Sequence, residues 1–295
     1  MSIGSAVVLT TSTLNRVMVV ELALPAMLPG ALVGFHYAIQ ILRPRWGYGS
    51  DVGGRRTPWI IGGMMVLVTG VVLAACATGL METNRMAGIA LAVFAFLTIG
   101  AGAGACGTSL LVLLATRVTA QKRAAAATTV WLMMIAGLAV TATVAGQFLD
   151  PYSPGRLIAV TGCIAAIAMV LTLIGIWGVE GQPETASETS RPRNDQPNRK
   201  ATPGFFAALR EVWSEPSARR FSIFVFVSMF AYSAQDLILE PFAGTVFGMT
   251  PGESTQLAGV QHGGVFIGMI LVALFGSVIA GGRYGSMRAW AVGGC

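Results

Sequence analysis

Apolar residues in this chain come in long blocks rather than in alternation. Runs with few or no charges cover about 2–22, 26–42, 59–80, 86–115, 124–148, 157–179, 221–247 and 256–280. Each reaches the roughly 17–25 residues that carry a helix across a hydrocarbon core of about 30 Å, with 26–42 at the lower limit. Barrel strands would alternate and span only about ten residues. The pattern therefore predicts eight transmembrane helices and an all-α polytopic membrane protein.

Composition agrees. Only 11% of the residues are charged and 54% are hydrophobic, and the mean hydropathy is +0.70. Soluble domains carry about 25% charge, so a water-soluble globular enzyme is excluded. The net charge of +6 would suggest nucleic acid in a soluble protein, but here its distribution follows topology. With the N-terminus in the cytoplasm, sixteen of the nineteen basic residues face that side. They are Arg43, Arg45, Arg55 and Arg56, then Arg117, Lys122 and Arg123, then seven between Arg191 and Arg220, and finally Arg283 and Arg288. Arg85 and Arg156 fall outside, and Arg16 lies within the first span. This is the positive-inside asymmetry, and it sets nucleic acid aside as a partner. Cys76, Cys106, Cys163 and Cys295 are far apart and read as small apolar fillers, not as a disulfide or metal framework. The first run lacks a basic leader and continues into further spans, so no cleavable signal peptide is read.

A loop over 180–218 divides the chain into a six-helix unit, 1–179, and a shorter unit, 219–295. The loop opens polar and Pro-rich, a composition that stays disordered. Phe205, Phe206, Leu209, Val212 and Trp213 then recur at helical spacing beside Arg210 and Glu211. That spacing predicts an amphipathic interfacial helix, serving as an anchor or as a docking element. Between spans two and three, Gly47, Asp51, Gly54, Arg55 and Arg56 spell G-x3-D-x2-G-R-R. This resembles the cytoplasmic loop signature of the major facilitator superfamily, a fold of two six-helix repeats. Glycines there permit a tight turn, and Asp51 can accept from backbone amides at a helix start. A faint repeat runs through the chain: Asn15, Arg16 and Glu21 in span one answer Gln235, Asp236 and Glu240 in span seven. His36 and His262 fall in spans two and eight.

Charges inside a bilayer cost about 2.5–3.5 kcal/mol each on insertion scales and require partners. Asp236 and Glu240 are one turn apart on a shared helix face, and Arg16 with Glu21 occupies the equivalent span. Spans one and seven line the central cavity in the major facilitator superfamily, so that resemblance implies Arg16 facing Asp236 or Glu240. Two readings stand: a structural pair locking the halves together, or a proton or ligand site at mid-membrane. His36 and His262 are candidate axial ligands for a magnesium tetrapyrrole, or histidines hydrogen-bonded to a neighbouring helix. Gly100, Gly102, Gly104 and Gly107 alternate with small residues and read as close helix packing, not as a dinucleotide loop, because no strand precedes them.

The runs Thr13–Leu22, Asp150–Pro154 and Phe224–Gly244 resemble the BCH/PucC family, and the section around Trp131–Met134 with Asp150–Tyr152 is closer to the LhaA type. The resemblance implies an assembly protein for light-harvesting complexes in the inner or intracytoplasmic membrane of phototrophic bacteria. Its implied partners are the lipid bilayer, antenna polypeptides and bacteriochlorophyll or the enzymes that make it, with bacteriochlorophyll the one cofactor in view. No nucleophile–base pair, metal cluster or phosphate-cradling loop points to catalysis, and no enzyme is expected. The family fold implies twelve spans against the eight read here, so an incomplete gene product, a sequence fragment or a truncation is expected. The rival readings are a proton-coupled transporter of an amphipathic or tetrapyrrole-like solute and a purely structural scaffold.

Overall fold

A computed structural model describes residues 1–43, 45–46, 55–119, 122–180, 210 and 213–274. Among these residues the chain is helical, with no strand. Eight helices follow in order: α1 Ser2–Glu21, α2 Met27–Leu42, α3 Thr57–Thr83, α4 Arg85–Arg117, α5 Arg123–Leu149, α6 Pro154–Ile176, α7 Pro216–Phe247 and α8 Pro251–Leu274. Seven of them are long and apolar enough to cross a membrane. The expected eighth span is the shorter α2. It closes in a 3₁₀ turn at Gln40–Leu42 and reaches only roughly 24 Å at 1.5 Å per residue. The interfacial helix, apart from Arg210 and Trp213, lies outside the described residues. So do Gly47, Asp51 and Gly54, and the segment 281–295.

The helix ends follow from local chemistry. Asn84 stops α3 and starts α4, its side-chain oxygen accepting from the Ala87 amide at 3.1 Å. Ser153 caps α6 by accepting from the Arg156 amide at 3.2 Å, with Pro154 in the first turn. The α7 helix ends at Gly248 in the left-handed region, φ +64°, which glycine adopts without steric cost. Two residues later Thr250 and Glu253 form a reciprocal capping box: the Thr250 amide donates to Glu253 at 2.8 Å, and the Glu253 amide donates to the Thr250 hydroxyl at 3.2 Å.

Packing is set by small residues. The α3 and α4 helices form the most extensive contact, and a Cβ added at Gly102 would lie 2.4 Å from the Leu67 amide nitrogen and 2.7 Å from the Gly63 carbonyl oxygen. Two other α4 glycines meet different neighbours: Gly100 abuts the backbone of His36 in α2, and Gly104 lies under the ring of Trp46. Gly107 is the exception to the expected packing stripe, because nothing lies within 4 Å of a Cβ there. Between α5 and α8, Gly146 and Gly252 face each other, and Gly259 sits against Thr143. Helices approach this closely only where side chains are absent. Hydroxyls elsewhere are hidden within their own helices, as when Thr78, Thr98 and Thr172 donate to the carbonyl four residues back at 2.7–2.9 Å.

The α1 helix is central, buried against α5, α6 and α7 with residues 12 to 18 all inaccessible. It has two π turns, Leu9–Thr13 and Val17–Glu21, a form concentrated at functional positions. By contrast, α7 is buried only near its end, at Glu240, Ala243 and Gly244. Its earlier turns present Phe221, Phe226 and Phe230 outward.

At the arginine-rich end, Glu180 closes a tie between the end of α6 and the start of α3. Its carboxylate accepts from the Arg56 amide at 2.8 Å and from the Thr57 amide at 2.8 Å. Burial works against the charged form, but the amides of Thr57 and Arg56 prevail and hold the carboxyl below its ordinary value of 4.5. A depressed carboxyl stabilises the fold above that ordinary value, and the contribution disappears as pH falls through the folded value. Glu180→Gln is expected to lower stability at neutral pH by about 1 kcal/mol. The gap from the parent should close as acidification takes the pH below the ordinary 4.5 and through the lower folded value. Unfolding midpoints of both proteins between pH 3 and 7 check this; a gap independent of pH would contradict it.

Candidate functional site

Polar side chains buried in α1, α7 and α8 meet in two tiers along α7. Asn15 of α1 ties the first helix to α7 by donating to the Leu237 carbonyl at 2.8 Å. The first tier surrounds Asp236, which accepts from Gln261 at 3.1 Å and interacts electrostatically with His262. Tyr37 of α2 and Tyr232 of α7 sense the same carboxylate.

The second tier surrounds Glu240, which is 0% exposed. Its Oε2 accepts from Ser254 and Thr255 of α8 at 3.4 Å each, the long end of hydrogen bonding. Its Oε1 has no partner. Ser12 of α1 lies beside it, and Thr13 shares a hydroxyl contact of 3.2 Å with Thr255. Both acids therefore meet side chains of α8.

Arg16 is 2% exposed on its side chain and does not bond Asp236 or Glu240. It pairs with Glu21 at 2.5 Å, one turn toward the end of α1. A second donor meets the Met249 carbonyl at 2.5 Å. Glu240 still lies within its electrostatic reach. The cluster thus reaches from Asp236 and Glu240 of α7 to the turn between α7 and α8. There the turn between α7 and α8 is gripped twice: Arg16 holds Met249, and Asp150 at the end of α5 accepts from the Thr250 hydroxyl at 2.6 Å and the Gly252 amide at 3.2 Å. Nearby Tyr152, in the link from α5 to α6, has its phenol pushed up to about 12 by burial and by the charges of Glu82 and Glu21.

The two histidines differ. His36 is buried, and its Nε2 contacts Gln40 Nε2 at 2.9 Å. Arg43 donates to the Gln40 oxygen, which orients the amide so that its nitrogen donates to the ring. The His36 proton is thereby assigned to Nδ1, and Nε2 is engaged within the helix. His262 stands beside Asp236 with its Nδ1 unpartnered.

Sequence reasoning placed Arg16, Glu21, Asp236 and Glu240 in one region and treated His262 apart, with His36, as a candidate pigment ligand. It missed Ser12, Thr13, Ser254, Thr255 and Asp150; the adjacent Ser254-Thr255 pair in an apolar run was the available signal. Arg55 and Arg56 of the loop signature lie at the opposite end, Arg55 exposed and the Arg56 amide bonded to Glu180. Among the described residues no three His, Cys, Asp or Glu side chains are placed to share a metal ion. Cavities lie elsewhere: one of about 400 Å³ between Trp46, Trp59 and Gly102, and an apolar one of about 270 Å³ among Ile3, Cys106, Met134 and Ile176.

The comparison that decides the family covers this architecture almost throughout: a family model described as PUCC protein matches residues 13–295. The chain belongs to the PUCC family. Within the PUCC relatives, it is 53% identical over 294 residues to a protein of Rhodobacter capsulatus named bacteriochlorophyll synthase 44.5 kDa chain, covering 99% of this chain and 65% of that one. It is 28% identical to the protein PucC of Rhodobacter capsulatus over 279 residues, covering 90% and 59%, and 28% identical to the protein PucC of Cereibacter sphaeroides over 284 residues, covering 92% and 60%. The chain spans roughly three-fifths of the length of these curated PUCC proteins. The match starts at Thr13 and so takes in Arg16, Asp236 and Glu240.

Proposed function

We propose that this chain belongs to a membrane assembly factor for bacterial light-harvesting antenna complexes, one that handles or delivers bacteriochlorophyll as antenna polypeptides insert. The observation that carries the reading is the 53% identity, across 99% of the chain, to a protein named for bacteriochlorophyll. The protein acts as a handler and not as an enzyme, in the inner or intracytoplasmic membrane, N-terminus in the cytoplasm, in a major facilitator arrangement with a division at 180–218. Antenna polypeptides and the outward phenylalanines of α7 share the chemistry for apolar helix contact. Of the two histidines, His262 is the better candidate pigment ligand, since Nε2 of His36 is engaged by Gln40. The full-length protein purified from a pigmented host is expected to carry bacteriochlorophyll, antenna polypeptide or both; finding neither would defeat the reading.

A second reading is favoured by one observation, the buried Glu240 with an unpartnered oxygen. On this reading the protein is a proton-coupled transporter of an amphipathic or tetrapyrrole-like solute, with Asp236 and Glu240 carrying the proton. The Gly-Pro pattern of antiporters is absent from 124–148. If the transporter reading holds, Asp236→Asn abolishes gradient-driven uptake in proteoliposomes; uptake at the parental rate would remove Asp236 from the coupling path.

A further inference from the structure

We propose that Arg16 is a proton-controlled clasp. With a proton on Glu240, the guanidinium holds Glu21 and the Met249 carbonyl; loss of that proton draws it onto Glu240 and loosens the turn between α7 and α8. The proposal goes beyond either reading of the whole protein and holds for a pigment handler and a transporter alike.

Three observations carry it. First, Glu240 is wholly buried, with one oxygen outside hydrogen-bond range of any donor, the other met by two hydroxyls at 3.4 Å, and the neutral Ser12 hydroxyl alongside. A carboxylate left this bare in an apolar interior is far costlier than the neutral acid. Hydroxyls suit the neutral form, because they accept as well as donate. Second, the cation in reach is committed elsewhere: Arg16 spends one terminal nitrogen on Glu21 and the other on Met249, while its Nε is buried without a partner. Third, the guanidinium already lies against α7 one turn from Glu240. Arg16 Nε and Nη2 each lie 3.2 Å from where a Cβ would stand on Gly244, one turn beyond Glu240 on the same face of α7. The missing side chain is what lets the guanidinium lie there.

The charges around Glu240 are few. From α1 there is Arg16 with Glu21. On α7 itself there is Asp236, bonded to Gln261 and facing His262 of α8. Glu253 of α8 is turned to the Thr250 amide, and Asp150 of α5 to Thr250 and Gly252. Among the described residues Arg16 is the cation that acts on Glu240. The step is a single proton transfer from the Glu240 carboxyl to water. Arg16 stays charged throughout, and its unused donors then meet the new carboxylate. Met249 loses its donor, and the turn is left to Asp150 alone.

The test is infrared spectroscopy and hydrogen exchange on the full chain in lipid nanodiscs. At pH 7 the parent is expected to show a protonated-carboxyl band that shifts in deuterated water, vanishes in Glu240→Gln and survives Asp236→Asn. As the band is titrated away with base, amide exchange over residues 245–254, corrected for its intrinsic pH dependence, should rise about tenfold. In Glu240→Gln it should stay flat. Absence of the band at pH 7, its survival in Glu240→Gln, or exchange that ignores its titration overturns the proposal. Should Glu240→Gln not accumulate, the parental band and exchange, with glutamate carboxyls isotopically labelled, decide alone.

Discussion

Replacing Gly102 with leucine is expected to abolish most of the folded protein, while the same change at Gly107, five residues on in the same helix, leaves it nearly intact. The added Cβ at Gly102 would fall 2.4 Å from the Leu67 nitrogen and 2.7 Å from the Gly63 carbonyl oxygen. Both obstacles are backbone, so neither can rotate aside, and α3 and α4 would have to separate along their whole contact. Overpacking costs about 1–3 kcal/mol when side chains can yield. Here the loss should reach about 3 kcal/mol or more, against a total stability on the order of 5–15 kcal/mol. At Gly107 nothing lies within 4 Å. Folded yield by size exclusion and the thermal midpoint of the two variants check this, and equal behaviour of the pair would refute the packing account.

Arg16→Ala is the second change with a large expected effect. It strips the Glu21 pair and the donor to Met249, and removes the positive charge that Arg16 brings to Glu240. Removing one member of a buried charged set typically costs about 3–5 kcal/mol. Glu21 keeps some hydration, with 32% of its side chain exposed, so the loss should fall near the lower end. Arg16→Lys keeps the charge but not the fork, and can serve only one of the two acceptors at a time. It should fall between the parent and the alanine variant. Denaturation midpoints in mixed micelles give the order; an alanine variant as stable as the lysine variant would show that the two bonds hold nothing.

The site was legible to the extent that charge is costly in lipid. Arg16, Glu21, Asp236 and Glu240 stand out because each interrupts an apolar run, and their placement on helices one and seven brought them to one region before any geometry. Which acid takes the arginine was not legible. Asp236 and Glu240 are equivalent by spacing, and Glu21 looks like a helix-end charge. Two π turns flank Arg16 in α1, and no hydrophobic period announces a π turn. Asp150 was hidden for a different reason: a carboxylate at a helix end is common, and its worth lies in Thr250 and Gly252, one hundred residues away.

By itself the sequence determined the class of structure and the blocks that become helices. Each follows from a transfer free energy that depends on local composition and not on neighbours. It also determined the short reach of α2, whose apolar run sits at the lower limit. Tertiary structure decided the rest: that Gly102 is indispensable to packing and Gly107 is not, that His36 is engaged by Gln40, and that Arg16 serves Glu21 and Met249 while Glu240 stays bare. These outcomes depend on which atoms from distant segments fill the same few ångströms. Steric exclusion and hydrogen bonding act over that range, and a pattern along the chain does not contain it.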